Sequence, residues 1–356
     1  MSESPRRPLS VAIIKAGGNS SVFMADIKFI GLTGATGMIG SRLLVHLAEH
    51  YPEIRIRCLA RSIPSERIHD AVEWLQGDLL SEADCAEFVD GLDAIYHFAQ
   101  SNSPAISDRH WPSDLVGNIG SSLNLIEALR RRKGQPCHFL FASSGGAIYG
   151  QGCPGQEYFS EEDPCIPLSP YGIQKLALEH YLHLASQQGW IKATILRFSN
   201  VYGAILPAES RQGLIGVAIA RILAGQKIPV FGSEETVRDY LHLDDVMSAT
   251  TLTMSQNESF KIYNIGAGAG HSLRDVLNIL EETSGRAVET EISNFGKTSF
   301  ALTPRVVLSI QKARNELKWE PKTTLRDGIS NLWKSAQRGD FVVQKKDHCS
   351  SSLKQR

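Results

Sequence analysis

The chain has 356 residues, 42% hydrophobic and 21% charged, with 37 Lys+Arg against 38 Asp+Glu and a formal net charge of −1. That length predicts two domains, or one large domain with an appendage, and the composition excludes disorder throughout. Near-neutrality excludes the global basic footprint of a nucleic-acid binder or of a protein held on an anionic membrane, although a local basic pocket stays open.

At the N-terminus, Arg6 and Arg7 precede the apolar run Val11-Ala12-Ile13-Ile14. The run is too short for a signal-peptide core, and the longest apolar runs fall short of a membrane helix. Residues 1–25 read as a disordered extension, with Met24 standing just ahead of the first strand as a second candidate start. Cys58, Cys85, Cys137, Cys153, Cys165 and Cys349 include no CxxC pair. They read as reduced thiols of a cytoplasmic protein, with neither a zinc site nor a disulfide framework.

The first strand spans Ile27 to Leu32 and runs into Thr33-Gly34-Ala35-Thr36-Gly37-Met38-Ile39-Gly40, followed by a helical period from Ser41 to Ala48. Strand, glycine turn and helix together form the setting of a dinucleotide site. There glycines permit a tight turn, a close approach to the pyrophosphate, and close packing of helix on strand. The helix N-terminus would face the phosphates with free N–H groups. The spacing here is GxxGxxG, and a plain strand–helix turn needing small residues is the competing reading.

A second strand, Ile54 to Ala60, ends at Arg61. An acid there suits the ribose 2′-OH of NAD, and an Arg suits the 2′-phosphate of NADP, so Arg61 leans toward NADP. Glu66 and Asp70 follow in a loop. A third strand ends at Gly77-Asp78-Leu79, near where an adenine would lie, and the fourth, Ala94 to Ala99, carries His97 as a packed residue. An amphipathic helix from Leu115 to Leu129 bears Asn118, and His138 to Ala142 forms the fifth strand. Strands alternating with helices predict an α/β fold, a doubly wound parallel sheet of Rossmann type. Such a sheet binds ligands beyond its strand ends, where Asp78, Phe98, Ala99 and Ser143 fall.

The fifth strand leads into Ser143-Ser144-Gly145-Gly146-Ala147-Ile148-Tyr149-Gly150 and then Ser169-Pro170-Tyr171-Gly172-Ile173-Gln174-Lys175. Pro170 can open a helix, and Tyr171 and Lys175 then share one face at i and i+4. A Lys ammonium beside a phenol lowers its pKa, which makes Tyr171 a candidate general base near neutral pH. A Ser hydroxyl at the strand end could bond the same substrate oxygen. The trio suits alcohol oxidation or ketone reduction beside a nicotinamide. A sixth strand spans Ile191 to Arg197, a helix follows near Leu214 to Leu223, Val230-Phe231-Gly232 is a short strand, and Asp244-Asp245-Val246 opens a further helix. His242 with Asp244 and Asp245 reads as a helix cap beside a packed His rather than a metal site.

With these pieces in this order, the chain resembles the extended short-chain dehydrogenase/reductases of the nucleotide-sugar epimerase and dehydratase group, UDP-glucose 4-epimerase among them. The resemblance runs from about Ile27 to Trp333. It is carried by TGATGMIG, GDL, SSGGAIYG, YGIQK, LRFSNVYG, RDYLHLDDV, YNIGAGAG and the late segment from Asn315 to Pro321. It implies a dinucleotide-binding domain over 26–200, a smaller mixed substrate-binding region over 201–335 with segments returning to the first domain, and a polar tail over 336–356. It implies that Gly34, Gly37 and Gly40 hold the pyrophosphate of NAD or NADP, with Thr36, Met38 and Ile39 among the cofactor-binding residues. Asp78 and Leu79 would flank the adenine, and Asn118 the nicotinamide ribose. Tyr171 would be the base, with Lys175 binding the ribose and tuning it. Asn200 and Arg238 would contact the diphosphate of a nucleotide-sugar substrate. A planar, permanently charged fork suits that role for Arg238, and an ion pair with Asp239 or Asp244 is the competing reading. Family members are often homodimers built through a helical bundle.

Four departures stand out. The serine loop has one residue more than the commonest form, so either Ser144 or Gly145 falls at the catalytic Ser position; Ser144 is favoured because a loop bulge absorbs the extra glycine. Arg61 stands where an Asp is common. A substrate-loop Arg is missing, with Lys297 and Arg305 as nearby cations. Gly145-Gly146-Ala147 lacks the acids of a 4,6-dehydratase. The resulting expectation is an NAD(P)-dependent nucleotide-sugar 4-epimerase with Tyr171, Lys175 and Ser144 as its catalytic set. An NADPH-dependent reductase of a nucleotide-linked 4-keto-6-deoxy sugar is the alternative, and a non-catalytic dinucleotide-binding regulator a distant third.

Overall fold

The computed structural model describes residues 27–65, 71–100, 111–153, 155–210, 212–230, 232–255, 258–292 and 303–339. Six strands alternate with helices in the first half: β1 (Phe29–Thr33), β2 (Arg55–Ala60), β3 (Val72–Gln76), β4 (Ala94–His97), β5 (Cys137–Ser144) and β6 (Ile191–Phe198). Between them run α1 (Met38–His50), α2 (Glu82–Val89), α3 (Trp111–Leu115), a π-helical turn (Val116–Gly120), α4 (Ser121–Arg131), the short α5 (Gly145–Ile148) and α6 (Pro170–Gln187). The second half adds β7 (Asn200–Tyr202), α7 (Leu214–Leu223), β8 (Ile228–Val230), β9 (Val237–His242), α8 (Leu243–Leu252), β10 (Phe260–Ile265) and β11 (Gly270–Ser272). Next come α9 (Leu273–Ser284), β12 (Thr290–Ile292), β13 (Arg305–Val306) and α10 (Leu325–Arg338).

The large sheet is parallel, in the order β10-β6-β5-β4-β1-β2-β3. β1 is buried along its whole length, as a strand covered by helices on both faces must be. Two separate apolar clusters flank the sheet: Leu43, Leu44 and Leu47 of α1 pack on one face, and Phe88, Leu125 and Leu178 of α2, α4 and α6 on the other. This is the doubly wound α/β fold. The strand order reverses between β1 and β4, which opens a crevice at their carboxyl ends.

A smaller sheet joins β11, β9 and β13, with β7 on β9, and β8 pairs β12. A third apolar cluster from α7, α9 and α10 packs there. The chain then returns: β10, from the later half, forms the edge of the large sheet by pairing with β6.

The helix anticipated over Leu115–Leu129 is interrupted. Ser121 Oγ donates to Gly117 O at 2.8 Å and Ser122 Oγ donates to Asn118 O at 2.7 Å. Hydroxyls that take main-chain carbonyls compete with the helical ladder, and Gly117 and Gly120 resist the change little. The short strand ends at Val230; Phe231 lies outside the described residues.

Candidate active site

At the end of β1 the chain turns through Gly34, whose φ is +75°. A Cβ there would lie 2.6 Å from Ala99 N and Phe98 C, so only glycine lets the turn sit against the chain leaving β4. A Cβ on Gly40 would lie 2.2 Å from Gly34 O, which is the close helix–strand packing expected of the third glycine. Gly37 is the N-cap of α1; no side chain caps it, and no acid stands in the first turn. Thr36 is exposed, and Met38 and Ile39 are half-buried beside it. The N-terminus of this 13-residue helix is therefore open to an anion, and the cradle fits a dinucleotide diphosphate.

The other expected cofactor residues line up along the strand ends. Arg61 follows β2 with its side chain exposed, and Gln76 Nε2 donates to its carbonyl at 3.3 Å. Asp78 follows β3 and accepts from Leu80 N at 3.0 Å, while Leu79 packs against the helix-side cluster. Phe98 stacks on Tyr96 and Phe198, each at 6.4 Å between ring centres. Glu66, Asp70 and Lys297 lie outside the described residues. Arg305 donates to Glu157 O at 3.2 Å.

Ser169 caps α6 by accepting from Gly172 N, with Pro170 in the first turn as anticipated. A Cβ on Gly172 would lie 2.4 Å from Ala147 O, so α6 begins hard against the serine loop. That contact sets Tyr171 beside Ser144, close enough for the serine hydroxyl to favour the phenolate. Gly145 faces elsewhere: a Cβ there would lie 2.7 Å from a Leu308 methyl. Of the two candidates, Ser144 is the one beside the phenol.

Lys175 is buried. Its Nζ donates to Ala142 O at 2.6 Å and lies 4.6 Å from the Phe141 ring centre and 5.7 Å from that of Tyr171. Burial pushes its pKa down to about 7, against the opposing pull of Glu179. Burial also pushes the half-buried Tyr171 up to about 12, with the neighbouring Ser144 hydroxyl opposing. The anticipated depression of the phenol by Lys175 is thus not present in this structure. The ammonium is engaged by a main-chain carbonyl, and desolvation outweighs the rest.

Behind the trio lies a buried network that sequence reasoning missed. Ser143 Oγ donates to Glu179 Oε1 at 2.5 Å, and Arg197 Nη2 donates to Glu179 Oε2 at 2.7 Å. Arg197 Nη1 donates to Tyr149 OH at 2.9 Å, and that hydroxyl donates to Asn264 Oδ1 at 2.7 Å. The signal was available: Glu179 continues the Tyr171–Lys175 stripe by another four residues, and Arg197 interrupts an apolar strand.

Asn118 is buried in the π turn, donating to Gln174 Oε1 at 2.9 Å and to Asp114 Oδ1 at 3.2 Å. Asn200 Nδ2 donates to Asp239 O at 3.1 Å, tying β7 to β9. Arg238 is 6% exposed; its Nη1 donates to Val237 O, and burial pulls its pKa down to about 10. Asp239 instead accepts Ala267 N and Gly268 N, and Asp244 pairs with Arg42 at 2.9 Å. His242 caps α8 by accepting from Asp244 N, and Asp245 accepts Lys322 N and Thr323 N. Among the described residues no group of three His, Cys, Asp or Glu could hold a metal ion, and no helix is long and apolar enough to cross a membrane.

Comparison with known proteins decides the family. The model of the NAD dependent epimerase/dehydratase family matches residues 30–266. The chain belongs to that family. It is an enzyme of the extended short-chain dehydrogenase/reductase type. A putative UDP-glucose 4-epimerase of Methanocaldococcus jannaschii is 30% identical, covering 85% of this chain and 96% of its own. A dTDP-4-dehydro-6-deoxyglucose reductase of Escherichia coli is 26% identical, covering 85% of this chain and 96% of its own. Among solved structures, the UDP-glucose 4-epimerase of Thermotoga maritima with UDP-glucose superposes with a TM-score of 0.78 at 28% identity, covering 87% of this chain and 99% of its own. The Thermus thermophilus UDP-glucose 4-epimerase in complex with NAD gives 0.76 at 29% identity, covering 86% of this chain and 99% of its own.

Proposed function

We propose that this epimerase-family enzyme is an NAD(P)-dependent nucleotide-sugar 4-epimerase that works through a transient 4-keto sugar. The observation that carries the reading is the convergence of three side chains: Ser144 ends β5, Tyr171 opens α6, and Lys175 Nζ, one turn further on, lies 5.7 Å from the Tyr171 ring centre. The bound nicotinamide supplies reversible hydride acceptance and, when oxidised, a positive charge that favours phenolate beside it.

Tyr171 Oη takes the proton of the sugar 4-OH and returns it once the keto group has presented its other face. Ser144 Oγ bonds the same oxygen and orients it. Lys175 would hold the cofactor's ribose hydroxyls with N–H groups not spent on Ala142 O, and Asn118 would flank that ribose. Gly34, Gly37 and Gly40 admit the cofactor diphosphate. Asn200 and Arg238 hold the substrate diphosphate, the guanidinium as a fixed charge.

A second reading, reduction of a nucleotide-linked 4-keto-6-deoxy sugar, is favoured by Arg61 and by likeness to the E. coli reductase. The two readings separate on the cofactor. An epimerase regenerates it each turnover and retains it, so denatured protein should release stoichiometric NAD(H) or NADP(H). A panel of UDP-, dTDP-, GDP- and CDP-hexoses followed by NMR at C4 should then show inversion without added cofactor. Turnover only with excess NADPH selects the reductase, and no turnover of any sugar nucleotide under either condition sinks both. Arg61→Glu should weaken NADP binding by about tenfold or more while leaving NAD within a few-fold.

The apolar side chains of Trp111, Leu115 and Val116 on α3 and the π turn, and of Ile173, Tyr181 and Leu184 on α6, are exposed. α4 and α6 pack together. This helical face supports assembly as a homodimer through a bundle.

A further inference from the structure

A buried chain of hydrogen bonds runs from the glycine turn to the π turn, and the chemistry proposed above makes no use of it. Thr33, the last residue of β1, places Oγ1 2.8 Å from His97 Nδ1. His97 Nε2 lies 2.9 Å from Ser122 Oγ on α4, and Ser122 Oγ lies 2.7 Å from the main-chain oxygen of Asn118. Ala99 N donates to Thr33 Oγ1 at 3.3 Å. All three side chains are buried, with His97 1% exposed, and its ring stacks on Phe141 at 5.9 Å.

The polarity of this chain follows from valence. A carbonyl only accepts, and a serine hydroxyl has one proton to give. Ser122 spends that proton on Asn118 O, the shortest contact in the chain, so it must accept from His97 Nε2–H. A neutral imidazole protonated on Nε2 leaves Nδ1 as an acceptor. Thr33 Oγ1 therefore donates to Nδ1 and itself accepts Ala99 N–H. Each hydroxyl proton and both ring nitrogens are then used. The opposite tautomer would require Ser122 to surrender its carbonyl. The imidazolium is opposed by burial, with Lys175 of α6 adding like-charge repulsion, and the two hold the ring pKa down at about 3.

We propose that His97, fixed as the neutral Nε2–H tautomer, is a positioning residue that sets the register of the glycine turn against Asn118. Gly34 follows Thr33 directly, and Asn118 is locked to Gln174 of α6. The π turn persists because Ser122 takes the Asn118 carbonyl, and His97 holds the Ser122 hydroxyl in the orientation that does so. A packed aromatic without nitrogen would fill the space but carry no register. The consequence for catalysis rests on the cofactor reading above; the tautomer and the register do not.

Two measurements test the idea without turnover. Long-range 1H–15N NMR on protein labelled with 15N-histidine should show His97 protonated at Nε2 only at pH 7. In addition, Ser122→Ala, which leaves the core filled, should speed amide exchange by about tenfold or more in both the glycine turn (residues 34–40) and the π turn (residues 116–120). His97→Phe should do the same, and the double variant should add little to either single one. His97→Gln, whose amide can still donate to Ser122, should restore part of the protection. An Nδ1–H tautomer or an imidazolium at pH 7, or faster exchange confined to the π turn in Ser122→Ala, overturns the proposal. If the register responds as stated but the wild-type protein binds no dinucleotide, the positioning role stands and the cofactor reading falls.

Discussion

Arg197 and Glu179 face each other inside the protein, with Nη2 2.7 Å from Oε2 and both side chains 5% exposed or less. The pair locks β6 to α6 one turn beyond Lys175, and Ser143 Oγ adds a further bond to the same carboxylate. Burial costs both charges their hydration, so neither tolerates loss of the other. Glu179→Ala is expected to destabilise the protein by about 3–5 kcal/mol, read by urea denaturation. The double variant Glu179→Met with Arg197→Met should recover most of that loss, because no buried charge is left uncompensated. A double variant as unstable as the single one would show that the network's hydrogen bonds dominate over its charges.

Lys175 carries the opposite bargain. Its folded pKa is held down at about 7 from an ordinary 10.5, so the buried ammonium costs stability wherever both states are protonated, below pH 7. The cost fades between pH 7 and about 10.5, where the unfolded chain still holds the proton and the folded one has released it. Lys175→Met should therefore stabilise the cofactor-free protein at pH 6 by about 1–3 kcal/mol, after loss of the bond to Ala142 O. The gain should shrink steadily toward pH 10. Paired denaturation curves at pH 6 and pH 9.5 check both the sign and the trend.

Tyr171→Phe removes one oxygen from the site and leaves the ring in place. Turnover should fall by about 10²–10⁴, the usual worth of a positioned acid–base group. Dinucleotide affinity, measured by calorimetry, should hold within a few-fold. A variant that keeps its rate would transfer the base role away from Tyr171.

Leu184 is 51% exposed on α6 and Ile173 55%. Placing a like charge on each copy of a symmetric apolar interface is self-repelling. Leu184→Glu together with Ile173→Glu should convert a dimer into a monomer by light scattering while leaving the melting of the monomeric fold cooperative. Wild-type protein that is monomeric at tens of micromolar would remove the proposal at the outset.

How much of this was legible beforehand differs by element. The glycine turn, the strand alternation and the Tyr171–Lys175 spacing are local patterns, set within a few residues by backbone freedom and helical period. The sequence by itself determined these, and with them the doubly wound sheet and the family. Other features depend on partners distant in the chain. Asn264 and β10 join the large sheet from more than sixty residues after β6, through pairing that no local period announces. That Gly145 packs against Leu308 is set by a partner far along the chain, and the Lys175 pKa is set by depth of burial against the pull of Glu179. The π turn at Asn118 formed because hydroxyls outcompete a helical ladder only where their carbonyls are held in place. Local sequence fixes which groups are present and their spacing along one element. Tertiary structure alone decides which of them are desolvated, and against which partner, and those two terms control charge and reactivity.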